Sequence, residues 1–126
     1  RLNLIVYMTR NWNEKWGGNL ELWSHNKKKN KPLNLVKEIK NKFNRAILFD
    51  TSQNSWHGLP SAIKLPNGVR RQSMAIYYLC EPRIKTVNRQ RALFAPTKKQ
   101  EKNKKILELI KKRSNLKNST KVYRSK

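Results

Sequence analysis

The distribution of apolar and polar residues along the chain predicts a series of short strands. Leu2–Thr9 is a nearly continuous run of apolar, β-branched and aromatic residues, which is typical of a buried strand. Residues 19–23 alternate between polar and apolar, which indicates a half-buried strand. Further strands are predicted at Leu35–Ile39, at Arg45–Phe49 and, most strongly, at Ser73–Leu79. Short strands at even spacing, with Gly and Pro between them, indicate an all-β core of sandwich or barrel type.

The end of the chain follows a different pattern. Thr97 and Gln100 have the spacing of a helix capping box. We therefore predict a helix that begins in this segment and a basic helical tail over residues 96–126, with disorder over residues 115–126. Residues 1–95 are predicted to form the β domain. The predicted helix has one apolar stripe, formed by Ile106, Leu107, Leu109 and Ile110.

The charge of the chain is strongly positive. It carries 30 basic and 7 acidic residues, a formal net charge of +23. This balance suits binding to nucleic acid or to an anionic membrane, and it equally suits a solvated surface rich in Lys and Asn. Residues 25–34 are predicted to form a basic polar loop in which His25 is exposed. The solvated surface is the simpler interpretation, because few aromatic residues lie among the lysines as stacking platforms for bases.

Several classes of site are excluded by the composition. Cys80 is the only cysteine in the sequence, so an internal disulfide or a zinc site built from cysteines cannot form, which fits a reducing cytoplasm. No apolar stretch approaches the roughly 20 residues that a membrane-spanning helix needs. The pair Gly17-Gly18 precedes a strand and no helix, so it indicates a turn and not a phosphate-binding loop. Because Arg1 opens directly into an apolar run, we expect the chain to be the C-terminal part of a longer domain.

Two segments carry the residue types of a metal and carboxylate site. His57 follows Trp56, and a neutral imidazole can ligate a transition metal. Arg71 precedes the strand that begins at Ser73, and a guanidinium can bind a carboxylate through two hydrogen bonds. Each residue also has a plainer interpretation. His57 can be a loop histidine packed beside Trp56, and either Arg71 or Arg70 can be a surface charge.

Strand alternation favours Arg71 over Arg70. Arg71 shares one strand face with Ser73 and Ala75, whose small side chains leave space for a ligand. Ser73 is either a ligand-binding hydroxyl or an ordinary strand residue. Tyr7 lies on an apolar strand, where an aromatic residue is usually part of the core. Its hydroxyl still needs a hydrogen-bond partner, which a carboxylate can provide.

Taken in chain order, these segments resemble the Fe(II)/2-oxoglutarate-dependent oxygenases, in particular their prolyl 4-hydroxylase-like branch. The resemblance implies a double-stranded β-helix, or jelly roll, of which this chain holds a part, and the strand pattern agrees with it. It covers roughly residues 1–80 and rests on Leu2-Asn3-Leu4-Ile5-Val6-Tyr7-Met8, Trp12, Trp16-Gly17-Gly18-Asn19-Leu20-Glu21-Leu22-Trp23, Phe43-Asn44-Arg45, Ser55-Trp56-His57-Gly58 and Arg71-Gln72-Ser73.

The resemblance also implies roles for individual residues. In that family a His-x-Asp/Glu motif and a distal His hold Fe(II), with positions left open for 2-oxoglutarate and oxygen. His57 is then the distal metal ligand, and Arg71 pairs with the far carboxylate of 2-oxoglutarate. Ser73 and Tyr7 add hydrogen bonds to the same carboxylate. No His-x-Asp or His-x-Glu occurs in the sequence, so the remaining ligands are expected upstream of Arg1.

Two classes of function follow. In the first, the chain is part of a dioxygenase that couples oxidative decarboxylation of 2-oxoglutarate to hydroxylation of an unactivated C–H bond, with ascorbate as an additional cofactor. Its substrate is a peptidyl proline, another protein side chain, a free amino acid, a small metabolite or a sugar. In the second, the chain is a non-catalytic jelly-roll module that binds nucleic acid through its basic surface. The sequence determines neither the substrate nor the oligomeric state.

Overall fold

The computed structural model describes residues 1–52, 54–81 and 93–115. Most of the regular structure in these residues is β, with one helix near the end. The elements are β1 (Leu2–Tyr7), β2 (Leu20–Asn26), β3 (Lys31–Ile39), β4 (Ala46–Asp50), β5 (Trp56–Gly58), β6 (Ser73–Tyr78) and α1 (Lys104–Ser114).

The chain divides into two compact units, Arg1–Ile84 and Lys85–Lys126, and the strands belong to the first. They form two antiparallel three-stranded sheets. β1 is the central strand of one sheet, between β4 and β6, and β2 is the central strand of the other, between β3 and β5. This arrangement confirms the predicted all-β core and is compatible with a partial jelly roll.

A small apolar cluster joins the two sheets. Tyr7 on β1 and Ile47 on β4 come from the first sheet, and Leu20 on β2 comes from the second; all three are buried. Alternation along β1 puts Ile5 on the same face as Tyr7. The cross-strand partners of these residues, Ile47 opposite Ile5 and Ser73 opposite Tyr7, share that face. The inner face of the first sheet therefore carries Tyr7 and Ser73 side by side.

The prediction of a basic loop over residues 25–34 is wrong for most of these residues. β2 continues to Asn26 and β3 begins at Lys31, so only a short hairpin turn separates the two strands. His25 lies on β2 and is half-buried, not exposed, and the indole Nε1 of Trp56 donates a hydrogen bond to its Nδ1 at 2.9 Å. Lysine side chains in a hairpin stay solvated while the backbone pairs, so a basic composition does not prevent a strand.

The second unit contains α1, which begins later than the capping-box spacing predicts. The Thr97 backbone N–H does donate to Gln100 Oε1, at 3.1 Å, but this segment forms turns. The helix begins at Lys104 with Asn103 as its N-cap, and the Asn103 side chain accepts a hydrogen bond from the Ile106 N–H at 3.2 Å. The apolar stripe starts only at Ile106, so no apolar side chain holds the preceding lysine-rich residues in a helix.

Two further predictions concern the rest of the tail and the membrane. The disorder predicted for residues 115–126 falls, beyond Asn115, outside the described residues. In the ranges that the structure describes, no helix has the length and apolar character needed to span a bilayer.

Candidate functional site

The ring of Tyr7 and the guanidinium of Arg71 form the centre of the candidate site. Tyr7 ends β1 and is completely buried, with 0% of its surface exposed. Arg71 Cζ lies 5.2 Å from the centre of the Tyr7 ring. Arg71 is half-buried, whereas Arg70 is exposed and its carbonyl oxygen accepts a hydrogen bond from Thr9 Oγ1 at 3.0 Å. Of the two adjacent arginines, Arg71 is therefore the one that packs against Tyr7.

Two polar atoms of this pair are buried without a hydrogen bond. They are Tyr7 Oη and Arg71 Nε. A buried donor without an acceptor costs about 1–3 kcal/mol. No ion pair to Arg71 is found among the described residues. The pair therefore suits an acceptor supplied by a ligand, and a carboxylate can accept hydrogen bonds from both a guanidinium and a phenol.

Ser73 lies next to this pair. It begins β6 directly opposite Tyr7 in the strand register, and cross-strand partners share a face of the sheet. The Met8 N–H donates to the Gln72 carbonyl oxygen at 3.0 Å, which holds the residue between Arg71 and Ser73 against the end of β1. The structure thus brings together the three residues predicted to bind a carboxylate.

The protonation state of Tyr7 follows from its surroundings. Burial raises the pKa of the Tyr7 phenol above its ordinary value of 10.0. The positive charge of Arg71, the close approach of the Arg71 side chain to the phenol and the charge of Arg45 offset part of that increase in pKa. The phenol is consequently neutral at physiological pH. Tyr7 Oη keeps its proton and can donate it in a hydrogen bond, beside a guanidinium that is always charged.

Gly18 packs against Arg71, a role that the sequence analysis did not assign. Its φ is +78°, and a Cβ at this position would lie 3.3 Å from Arg71 Nε and 3.3 Å from Trp12 Cζ2. Both the backbone conformation and the tight approach favour glycine. The interpretation of Gly17-Gly18 as a turn describes the backbone but does not identify the contact with Arg71. A glycine two residues before a strand is a position where such a close approach can occur.

His57 lies on the other sheet. It is the central residue of β5, where it is paired with Leu22 of β2. The sequence pattern does not predict this three-residue strand, because so short a segment shows no alternation. The plainer interpretation of His57 as a loop residue is therefore wrong for its backbone. Arg71 lies directly before β6, which belongs to the first sheet, so His57 and Arg71 are not on hydrogen-bonded neighbouring strands.

The imidazole of His57 is exposed and has two described neighbours. Its ring lies edge-on to Phe49 of β4, with 4.8 Å between the ring centres, so this contact links the two sheets. Its Nδ1 lies 3.3 Å from the Ser55 carbonyl oxygen. A proton on Nδ1 that is donated to this carbonyl leaves the Nε2 lone pair available, which is the tautomer that a metal ligand needs.

Asn3 is a further polar residue that the sequence analysis did not single out. It is 4% exposed, and its side-chain Oδ1 is buried without a hydrogen-bond partner. It shares the inner face of β1 with Tyr7 and lies opposite Phe49, the residue that contacts His57. A polar residue inside an otherwise apolar strand is the signal that points to it.

The described residues supply an incomplete metal site. They contain no group of three His, Cys, Asp or Glu residues placed to hold a metal ion. His57 is therefore a single candidate ligand, and Tyr7, Arg71 and Ser73 form a separate candidate group for binding a carboxylate. The chemistry of that group fits one end of a dicarboxylic acid.

Comparison with known proteins gives a family match. The family model of the 2OG-Fe(II) oxygenase superfamily matches residues 1–78, the part of the chain that contains the six strands found in the described residues. No curated protein and no solved structure matches the chain. The superfamily uses Fe(II) and 2-oxoglutarate, and the match extends over more than half of the 126 residues. The chain belongs to the 2OG-Fe(II) oxygenase superfamily.

Proposed function

We propose that this chain provides the 2-oxoglutarate-binding group and one iron ligand of a dioxygenase that hydroxylates an unactivated C–H bond. Membership of the superfamily supports the oxygenase activity. The observation that carries the assignment of residues is the pair of buried atoms without hydrogen bonds, Tyr7 Oη and Arg71 Nε. One carboxylate of 2-oxoglutarate would satisfy both.

Each residue of the group has its own task in this proposal. Arg71 neutralises the far carboxylate of 2-oxoglutarate and donates N–H groups to it. Tyr7 donates its O–H, since burial raises its pKa and keeps the phenol protonated. Ser73, opposite Tyr7, adds a third donor. Gly18 leaves the space that the Arg71 side chain occupies.

His57 would be the distal iron ligand, bound through Nε2. When bound, Fe(II) and 2-oxoglutarate would supply the oxidising chemistry, in which one oxygen atom of dioxygen ends in the succinate that forms with carbon dioxide and the other ends in the hydroxylated substrate. The remaining protein ligands would come from a His-x-Asp or His-x-Glu motif upstream of Arg1, since this sequence has none. Ascorbate would serve as a reductant that keeps the iron in the Fe(II) state.

The narrower proposal is a prolyl 4-hydroxylase-like enzyme that acts on a peptidyl proline. It rests on the ordered resemblance of the strand and loop segments described above. Residues 1–95 would form the C-terminal part of the jelly-roll domain and residues 96–126 a basic tail. The single cysteine, Cys80, is free and exposed, which fits work in a reducing cytoplasm. Neither the family match nor the described residues favour the alternative of a non-catalytic nucleic-acid-binding module.

The test is release of succinate by the complete protein, which includes the upstream residues, supplied with Fe(II), 2-oxoglutarate, ascorbate and a proline-containing peptide. The proposal predicts succinate and a peptide that has gained one oxygen atom. A matched peptide with alanine in place of proline should gain none. The 126-residue chain alone should bind Fe(II) weakly and release no succinate. Succinate from the isolated chain would contradict the assignment of iron ligands.

A further inference from the structure

A cavity lies between the connection from β1 to β2 and the connection from β3 to β4. It is half open to solvent, and its volume is about 540 Å³. Neither Arg71 nor His57 lines it, so it is separate from the candidate site described above. The residues of its wall that matter for binding are Trp12, Asn41, Lys42, Phe43 and Arg45.

Asn41 is the unusual residue of this wall. It is 3% exposed, and both polar atoms of its side chain, Nδ2 and Oδ1, are buried without a hydrogen-bond partner. Its backbone N–H donates to Asn19 Oδ1 at 3.1 Å, so the residue itself is held in place. A buried amide with neither its donor nor its acceptor satisfied is costly. Neither atom has accessible surface, so the Asn41 side chain has to turn toward the cavity before a ligand that both accepts and donates hydrogen bonds can remove that cost.

The charge around the cavity is positive. Lys40 Nζ lies 2.8 Å from Glu14 Oε2, and Glu14 is the one carboxylate in the wall. This ion pair neutralises the negative charge of Glu14. Lys42 and Arg45 have no ion pair with any carboxylate in the described ranges. Two cations without a carboxylate partner, next to a buried amide donor, favour an anionic ligand.

One ion pair joins the two walls of the cavity, and two hydrogen bonds anchor the β3–β4 connection. The Lys40–Glu14 ion pair joins the β3–β4 connection to the β1–β2 connection. Arg45 Nη1 donates to the Lys40 carbonyl oxygen at 2.9 Å, and the Asn44 N–H donates to the Tyr7 carbonyl oxygen at 2.9 Å. These bonds fix the backbone of the β3–β4 connection, which carries Asn41, Lys42 and Arg45.

We infer that this cavity binds a small organic anion, a phosphate or a carboxylate with a hydroxyl group beside it. The anionic oxygens accept hydrogen bonds from Asn41 Nδ2 and pair with Lys42 and Arg45. The hydroxyl donates to Asn41 Oδ1, and the rings of Trp12 and Phe43 pack against the carbon skeleton. The inference does not depend on the proposed function, because it uses none of the residues assigned to 2-oxoglutarate or iron.

The test is titration of the 126-residue chain with glycerol 3-phosphate and, in a separate arm, with lactate, followed by the NMR signal of the Trp12 indole N–H. At least one probe should bind saturably, and the arm that saturates identifies the anion. Lys42→Gln should weaken binding by about tenfold, the value of a charge-assisted hydrogen bond. Lys29→Gln, which removes the same charge from the β2–β3 turn, should leave binding unchanged.

Two more variants distinguish binding in the cavity from binding at Arg71. Asn41→Leu should lose binding without lowering the melting temperature, because it removes two unsatisfied polar atoms. Arg71→Met should bind the probe as the unmodified chain does. The inference is wrong if neither probe saturates, or if Lys29→Gln weakens binding as much as Lys42→Gln. It is also wrong if Arg71→Met abolishes binding while Lys42→Gln retains it, which would put the anion at Arg71.

Discussion

Arg71 lies over the ring of Tyr7, with Arg71 Cζ 5.2 Å from the ring centre, and each side chain has one buried polar atom without a hydrogen bond. The cation–π contact is worth about 0.5–2 kcal/mol, but it satisfies neither the guanidinium N–H nor the phenol O–H. A single carboxylate would satisfy both donors at once. Binding of 2-oxoglutarate at this pair should therefore also stabilise the fold.

Removal of the Tyr7 hydroxyl should raise the stability of the fold and lower its affinity for 2-oxoglutarate. Tyr7→Phe keeps the ring under Arg71 and deletes a buried oxygen without a partner. The free energy of unfolding should rise by about 1 kcal/mol, while affinity for 2-oxoglutarate falls by about tenfold. Urea unfolding and a 2-oxoglutarate titration measure the two effects. A loss of stability with unchanged affinity would show that the hydroxyl serves only the fold.

Tyr7 should also make the fold sensitive to alkali. The unfolded phenol ionises near its ordinary pKa of 10.0, whereas burial raises the folded pKa. Above the unfolded pKa the unfolded state loses its proton and the folded state keeps it, so the free energy of unfolding falls as the pH rises from there through the folded pKa. Below pH 10.0 the group contributes no such dependence. Unfolding of Tyr7→Phe should depend less on pH in the alkaline range than unfolding of the unmodified chain.

Gly18 has a matched control in Gly68. The φ angles are +78° and +79°, but a Cβ at Gly18 would meet Arg71 Nε at 3.3 Å, whereas a Cβ at Gly68 would meet nothing within 4 Å. Gly18→Ala and Gly68→Ala should each cost about 1–2 kcal/mol of stability through the left-handed backbone. Only Gly18→Ala should also raise the KM for 2-oxoglutarate in the complete enzyme. An equal effect of both variants on KM would show that Gly18 does not position Arg71.

Replacement of each of the two histidines by alanine should affect stability and succinate release differently. His57 is exposed, so His57→Ala in the complete protein should change stability by less than about 0.5 kcal/mol and abolish succinate release. His25→Ala loses the hydrogen bond from Trp56 Nε1 and should cost about 1 kcal/mol of stability while turnover persists. Succinate assays and thermal unfolding of both variants check this. Turnover by His57→Ala would exclude His57 as an iron ligand.

The sequence predicts the strands whose own residues form an apolar run or alternate between apolar and polar. The apolar run of β1 and the strong strand β6 both occur as predicted. Arg71 precedes β6 and contacts the ring of Tyr7, the residue opposite Ser73, which agrees with the face that alternation predicts for it. β5 has three residues and depends on pairing with β2, so no local pattern reveals it. The contact between Gly18 and Arg71 and the buried amide of Asn41 depend on loops distant in sequence, which a local pattern does not encode.

The most direct measurement compares Arg71→Ala with Arg70→Ala in the complete enzyme, with the KM for 2-oxoglutarate as the readout. Arg71 packs on Tyr7, whereas the adjacent Arg70 is exposed. Truncation of a buried, charge-paired side chain costs roughly 2–5 kcal/mol, so Arg71→Ala should raise the KM by about 30-fold to several thousand-fold. Arg70→Ala should leave it unchanged. A large increase in Arg70→Ala together with none in Arg71→Ala would contradict the assignment of Arg71 to the 2-oxoglutarate carboxylate.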